Sequence, residues 1–514
     1  MVKAVIVGVG QYRRNPKLDG PFEPWEPAKM MAEAIHRAVN DDYVQRDHTA
    51  DGVPTAATLL ACVDPIAWPY DDLCATVAEM AAMTPGVEGI TVAPGGNSPG
   101  DLLNTIANRV VSGEVKVAIL AGSECVYGRR RARKEDRPLD WTPHTHPRDL
   151  YKGQRPITNP VEARHGMVAP IQCYPLFENA LRHQAGRTVD DHQEFLGRFM
   201  ARNAAVAAKN AFAWFPTAYS AEQIAEVSVD NRMVCFPYPK RMNAVMEVDL
   251  AAAVIVMSDE EATRRGIPVD HQVAFLGGAS ATDAWTPTER SDFTSSPAIR
   301  AASSRALSNA GITIEDVDLI DLYSCFPSAV QMALNELGLA HDDPRGATVT
   351  GGLAYAGGPG NSYSMHGLAV MVERLRNSND PATTGLVSAL GMTATKHAYN
   401  VLSTDQGKIV RATGVASKLG VVDVVAPELV DERSDDATVE TYTAEFDRAG
   451  NATRTIYVLR FDDGARTVAN GPCTEAEVTA LTTQDLVGRR GLVTGGKAGV
   501  GDANVPNRFD LGPA

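Results

Sequence analysis

The chain has 514 residues, too many for one ordinary hydrophobic core, so two or three domains are expected. Its 44% apolar and 22% charged residues are the composition of a globular protein. A net charge of −15 argues against nucleic acid or an anionic membrane as a general partner.

From the amino terminus, Lys3–Gly10 (KAVIVGVG) predicts a buried strand; with one lysine and no cleavage-like site it is not read as a signal peptide. AKMMAEAIHRAV then predicts a helix. TVAPGGNSPGDLLNTIANRV (91–110) predicts a glycine turn opening a second helix, and VKVAILAG (115–122) another buried strand. Residues 126–240 read as a polar, partly helical insertion, and AAAVIVMS (251–258) returns to the buried-strand pattern. PAIRAASSRALSNAG is helical, DLIDLYS (318–324) and TGLVSAL (384–390) are strand-like, and between them GGLAYAGGPGNSYSMHGL (351–368) is a second glycine turn running into a helix. Alternation of this kind predicts layered α/β structure with parallel sheets. The two glycine-turn segments echo one another and predict two related halves, each with a helix N-terminus at a comparable place. After Asp405 the chain alternates polar and apolar residues, with turns at Ala449-Gly450-Asn451 and Asp462-Asp463-Gly464. That predicts a small β-barrel. The expected domains are 1–265 (with the insertion), 266–405 and 410–514.

Seven scattered cysteines with no C-x-x-C spacing suit neither a disulfide framework nor a zinc site. The longest apolar run, Leu250–Met257, is too short to span a bilayer. A cytoplasmic protein is expected. Three motif-like stretches are set aside. GVGQYR lacks the third glycine of a dinucleotide fingerprint, GLVTGGKA has Ala498 where a phosphate loop needs Ser or Thr, and His144/His146 lack a third ligand. The Arg129–Lys134 cluster reads as a solvated loop face.

Taken in order, these features resemble the thiolase superfamily over roughly residues 3–405. NAVMEVDLAAAVIVMS (243–258) resembles the segment where an Asn and an Asp bracket the last strand of the first half. DLYSCF (321–326) resembles the H-D-C-F motif of the sterol-carrier-protein thiolase branch. The second glycine turn resembles the G-H-P loop, and SALGM (388–392) falls where the family has C-x-G-x-G. The resemblance implies a thiolase fold, plus a small all-β (OB-like) C-terminal domain. It further implies an acetyl-CoA acetyltransferase-like activity in lipid metabolism, with coenzyme A present as part of the substrate and no other cofactor or metal.

The catalytic parts depart from the family. Gly96 or Asn97 stands at the nucleophilic cysteine, Gly358 at the G-H-P histidine, Val387 or Ser388 at the second cysteine and Tyr323 at the H-D-C-F histidine. Cys325 matches the acid–base cysteine. Tyr323, Cys325, His397 and His366 are therefore the candidate catalytic residues. Gly96, Asn97, Ser98, Asn243, Gly357, Gly358 and Gly360 are the candidate substrate-binding residues. Tyr323, Cys325 and His397 are expected in one pocket, with the Gly357–Gly360 turn giving N–H groups to a thioester oxygen and His397 lowering the tyrosine pKa. An acyl-CoA is the expected ligand. Three functions are open at this point: thiolase-like acyltransferase, acyl-CoA carbon–carbon lyase, and non-catalytic CoA-binding scaffold. Homo-oligomerisation is left open.

Overall fold

A computed structural model describes residues 2–41, 56–145, 149, 152–499 and 504–512. His146 lies outside them.

The first half contributes β1 (Ala4–Arg13), β2 (Leu59–Val63), β3 (Glu88–Ile90) and β4 (Val117–Cys125); the insertion carries β5 (Met233–Cys235) and β6 (Tyr238–Pro239), and β7 (Asp249–Ser258) follows it. The second half contributes β8 (Val273–Thr282), β9 (Leu319–Asp321), β10 (Thr384–Gly391) and β11 (Lys396–Ser403), with β12 (Ala416–Val421) after them. The strand order β2-β4-β7-β1 is repeated as β9-β10-β11-β8, with β3 added at the outer edge of the first half. Directions repeat too: β2/β4 and β9/β10 are parallel, whereas β4/β7, β7/β1, β10/β11 and β11/β8 are antiparallel. The two halves are thus copies of one plan.

Each half is mixed, and not parallel as the strand–helix alternation of the sequence predicts. One cause is local: residues 392–395 join β10 to β11 in a turn too short for a parallel crossover. The half-sheets meet edge to edge where Val5 faces Ala274 and Ile6 faces Val273.

Two helices, Ser98–Val111 and Tyr363–Arg376, lie side by side in the middle layer. Leu102, Leu103 and Ile106 of one, and Met365, Leu368 and Met371 of the other, share a core with Val254, Phe275, Val387 and Leu402 from both sheets. Each such side chain contributes about 1.5–3 kcal/mol by burial. Pro99 in the first turn of the earlier helix costs no hydrogen bond, because the first N–H groups have no intrahelical partner. Among the described residues no helix is long and apolar enough to cross a membrane.

The C-terminal strands β13 (Asp435–Phe446), β14 (Ala452–Phe461), β15 (Arg466–Ala469), β16 (Arg490–Thr494) and β17 (Arg508–Leu511) pair in the order β15-β14-β13-β16-β17. Asn470 closes the ring: its N–H donates to the Asn507 carbonyl and its carbonyl accepts from the Phe509 N–H, both at 2.9 Å. The result is a five-stranded OB-like barrel with one helix, Glu475–Thr483, between β15 and β16. One boundary differs from expectation, and the insertion is tied to the barrel. β12, placed in the barrel by a start at 410, instead extends the main sheet by pairing in parallel with β8. The insertion is not free-standing, since β5 pairs with β13. The Arg129–Lys134 cluster, read as a loop, is part of a helix, Val126–Lys134, with Arg131 paired to Glu135.

Candidate active site

Gly96 lies just before Asn97, the N-cap of the helix Ser98–Val111, at the end that carries a partial positive charge. A side chain there would have nowhere to go. A β-carbon built on Gly96 would lie 2.7 Å from the Tyr323 ring carbon Cζ, and closer still to the Tyr323 hydroxyl and the Leu390 carbonyl oxygen. The position where the resemblance puts a nucleophile is therefore filled by the phenol of Tyr323. Tyr323 follows β9, with its N–H donating to Ser388 Oγ (2.8 Å) and its ring edge-on to Tyr363 at 5.4 Å. The strand ends at Asp321, so Tyr323 and Cys325 belong to the loop after it rather than to the strand. Burial raises the phenol pKa above its usual range, with Cys325 and Tyr363 adding to the effect. At neutral pH this hydroxyl is a proton donor.

Cys325 is buried, and burial pushes its thiol up to about 12; a hydrogen bond with Tyr174 acts the other way. Tyr174, on the helix Pro170–Gln184, also reaches the turn between β10 and β11: its hydroxyl accepts from the Ala394 N–H at 3.0 Å and lies 3.5 Å from the Met392 carbonyl. Met392 and Ala394 both sit at positive φ, 61° and 54°. Residues with a β-carbon hold that conformation only where their surroundings impose it.

The Asn243 segment threads between the two motifs of the second half. The Ala244 N–H donates to the Cys325 carbonyl (3.2 Å), the Val245 N–H to the Leu353 carbonyl (3.2 Å), and the Gly358 N–H to the Val245 carbonyl (2.8 Å). Asn243 Nδ2 donates to the Pro239 carbonyl (2.8 Å), and its buried Oδ1 has no partner among the described residues. The glycine turn differs from expectation. Gly358 spends its N–H on Val245, and Gly360 donates to the Gly358 carbonyl at 2.7 Å, so neither serves a ligand oxygen. Gly357, at φ 106°, has a β-carbon's space taken by Leu250, Val248 and Trp214. This turn is a packing element here.

Both histidines are engaged with other groups. His366 points its Nδ1 at Gln11 Oε1 (2.9 Å), and burial holds its pKa down near 4. His397 follows β10, as expected, and is the second residue of β11; its Nε2 meets the Ala394 carbonyl at 2.9 Å. Burial, aided by the Arg290 charge, brings it down to about 4. A neutral His397 offers no cation to lower the pKa of Tyr323, which instead rises. Ser98 donates to the Gly95 carbonyl at 2.7 Å. Asn97 donates to Asp101 (2.6 Å) and lines a cleft of about 420 Å³ with Asp101, Gln154, Lys396, Lys418 and His397, a lining that includes neither Tyr323 nor Cys325. Lys396 Nζ donates there to the Pro94 carbonyl (2.7 Å) and Gln154 Oε1 (2.8 Å), and burial lowers it to about 8. Tyr174, Arg290 and Lys396 carry no motif, which is why sequence reading missed them. Among the described residues no cluster of His, Cys, Asp or Glu is placed to hold a metal.

The fold matches a solved structure over its whole length. The crystal structure of a monomeric SCP2-thiolase-like protein type 1 from Mycobacterium smegmatis is 30% identical, covers 99% of each chain and superposes with a TM-score of 0.77. The chain belongs to the SCP2-thiolase-like family. Within this SCP2-thiolase-like protein, residues 279–404 match the model of a thiolase C-terminal-like domain. Residues 419–497 match that of the additional C-terminal domain of thiolase-like protein type 1. A structure described as the Ltp2-ChsH2(DUF35) aldolase shares the fold at 19% identity, covering 79% of this chain and 98% of that one with a TM-score of 0.57. No curated protein matches the chain.

Proposed function

We propose that this SCP2-thiolase-like protein binds an acyl-CoA thioester where Gly96 meets Tyr323. It acts on the acyl group without transferring it to the protein, and retro-aldol cleavage of a β-hydroxyacyl thioester is the reaction class. One observation carries this reading: the Tyr323 hydroxyl occupies the space of the missing nucleophile at the head of an inner helix. Acyl transfer through the protein requires a nucleophile there, and glycine has none. The neighbouring Ser98 hydroxyl is engaged with the Gly95 carbonyl.

In retro-aldol cleavage the β-hydroxyl gives its proton to solvent and becomes a carbonyl, and solvent returns a proton at the end to the phenolate that Tyr323 leaves behind. The Cα–Cβ bond breaks, and its electron pair passes to the thioester as an enolate. A neutral phenol beside a helix N-terminus stabilises that oxygen by donation and then supplies the proton to Cα. Tyr323 meets this need because burial keeps it protonated. An aldolase structure on the same fold is consistent with the class.

A second reading is a CoA-thioester binder without turnover. It is favoured by the acid–base states: Cys325 near 12 and both histidines near 4 leave these groups neutral at pH 7. Incubation with acetyl-CoA and a panel of β-hydroxyacyl-CoA esters, followed by mass spectrometry of products and of intact protein, separates the readings. A shortened acyl-CoA with its carbonyl partner, lost in Tyr323→Phe, supports the lyase. Binding without products supports the second reading. An acyl adduct on the protein, or a β-ketoacyl-CoA condensation product, defeats the proposal and restores the acyltransferase.

A further inference from the structure

The barrel reaches the candidate site through two buried side chains. Arg466, on β15, is fully buried and spends its guanidinium on the body of the protein. Its Nη1 donates to the carbonyls of Thr288 (2.8 Å) and Arg290 (2.5 Å), Nη2 approaches the Ser291 carbonyl (3.3 Å), and Nε pairs with Glu440 (2.6 Å). Arg290, also buried, passes the grip on: Nη1 donates to the Ala394 carbonyl (3.1 Å), and Nη2 to Asp283 (3.1 Å) and the Ser295 carbonyl (2.7 Å). Asp283 in turn donates its N–H to the Thr395 carbonyl at 2.7 Å.

The second line runs through the helix Pro170–Gln184. Its Asn179 donates to the Tyr442 carbonyl (2.9 Å), its Arg182 to the Tyr442 hydroxyl and Asp485 (both 2.9 Å), and Thr441 Oγ1 donates to the Leu176 carbonyl (2.6 Å). The same helix carries Tyr174, which takes the Ala394 N–H. Ala394 is therefore held at its carbonyl by one barrel-anchored residue and at its N–H by another. This is the over-determination that a left-handed alanine requires. Arg290 Nε and Arg182 Nε and Nη1 are buried without a partner among the described residues, so it is the remaining donors that link the barrel to this one turn.

We propose that the C-terminal barrel is the positioning element that holds the Met392–Thr395 turn, with Arg466 and the helix Pro170–Gln184 as its two arms, and so sets Tyr174 against Cys325. Its consequence for catalysis rests on the reading of Tyr323 and Cys325 as the site; the mechanical claim does not. Hydrogen exchange read by mass spectrometry on the full chain tests it. Arg466→Met should speed exchange at Ala394 and Thr395 at least ten-fold while 249–258 of the main sheet stays protected, and Arg466→Lys should restore part of the protection. On a β-hydroxyacyl-CoA ester, kcat should fall at least ten-fold with KM little changed. Unchanged exchange at 392–395 overturns the proposal. If Arg466→Met does not fold, Arg290→Met decides, since it cuts the relay beyond the barrel: exchange must rise at 392–395 with 452–461 still protected, and the absence of that rise overturns the idea. A parent protein that turns over no thioester defeats the proposed function, and the exchange comparison still decides whether the barrel holds the turn.

Discussion

Gly96→Ala separates a true glycine requirement from mere tolerance of glycine. At a glycine whose φ suits other residues, adding a methyl group normally stabilises by about 0.4–1 kcal/mol, because the unfolded chain loses freedom. Gly96 is not at positive φ, so that gain applies to it. Against it stands the Tyr323 hydroxyl, with Cζ only 2.7 Å from the new carbon and the Leu390 carbonyl on the other side. Overpacking of this kind costs roughly 1–3 kcal/mol, and a backbone carbonyl cannot swing away as a side-chain tip can. The net expectation is a loss of about 1–2 kcal/mol. Urea denaturation followed by circular dichroism gives the sign directly. In a Tyr323→Ala background the phenol no longer obstructs, and the cost of Gly96→Ala should shrink by about 1 kcal/mol, the coupling expected of residues in contact. A Gly96→Ala protein as stable as the parent, or a cost unchanged without the tyrosine, would falsify the placement of Tyr323 in the nucleophile's space.

Tyr174→Phe leaves the buried Ala394 N–H without its acceptor, which costs about 1–3 kcal/mol. It should also slow alkylation of Cys325, because the hydrogen bond that holds the thiol pKa down is lost, and a Cys325 alkylated as fast as in the parent would argue against the Tyr174 contact. Asp249 is raised to about 7, first by burial and then by the Glu124 charge, against its hydrogen bond from the Gly128 N–H. The folded state therefore keeps a proton that the unfolded state releases near pH 4, so this group withdraws stability as pH rises from about 4 to 7. Asp249→Asn should gain on the parent between pH 5 and 8 in denaturation midpoint; a difference independent of pH would count against it. Lys396, lowered to about 8 by burial, should gain reactivity toward amine reagents near pH 8 rather than near the usual ~10.4. A labelling midpoint shared with the exposed lysines would refute that environment.

Local patterns carried much of the architecture. The helices near 27, 98 and 297 were readable from apolar spacing and from prolines that open them, and the barrel hairpins from Gly450 and Gly464 in their turns. β8, β11 and β12 were not. β8 and β11 are buried along most of their length, so no polar alternation marks them. β12 has mostly partly exposed residues and is held by pairing with β8, which no local pattern records. The strand position of His397 was missed for the same reason: with β11 unseen, it read only as a residue beyond the end of β10. The loss of N–H groups at Gly358 and Gly360 depends on Val245 and on the turn's own curvature, a tertiary fact. The site's main feature shows how such blindness arises. In sequence, a glycine at the nucleophile position and a tyrosine at the H-D-C-F histidine position are two separate departures from the thiolase pattern. In the fold they are one, because the volume that Gly96 leaves empty is the volume that the Tyr323 hydroxyl fills. Restoring a side chain at Gly96 alone therefore collides with the phenol, and truncating Tyr323 alone opens a cavity at the helix N-terminus. Each change costs stability by itself, so the pair is held together by packing. A return to acyl-transfer chemistry would require both positions to change at once.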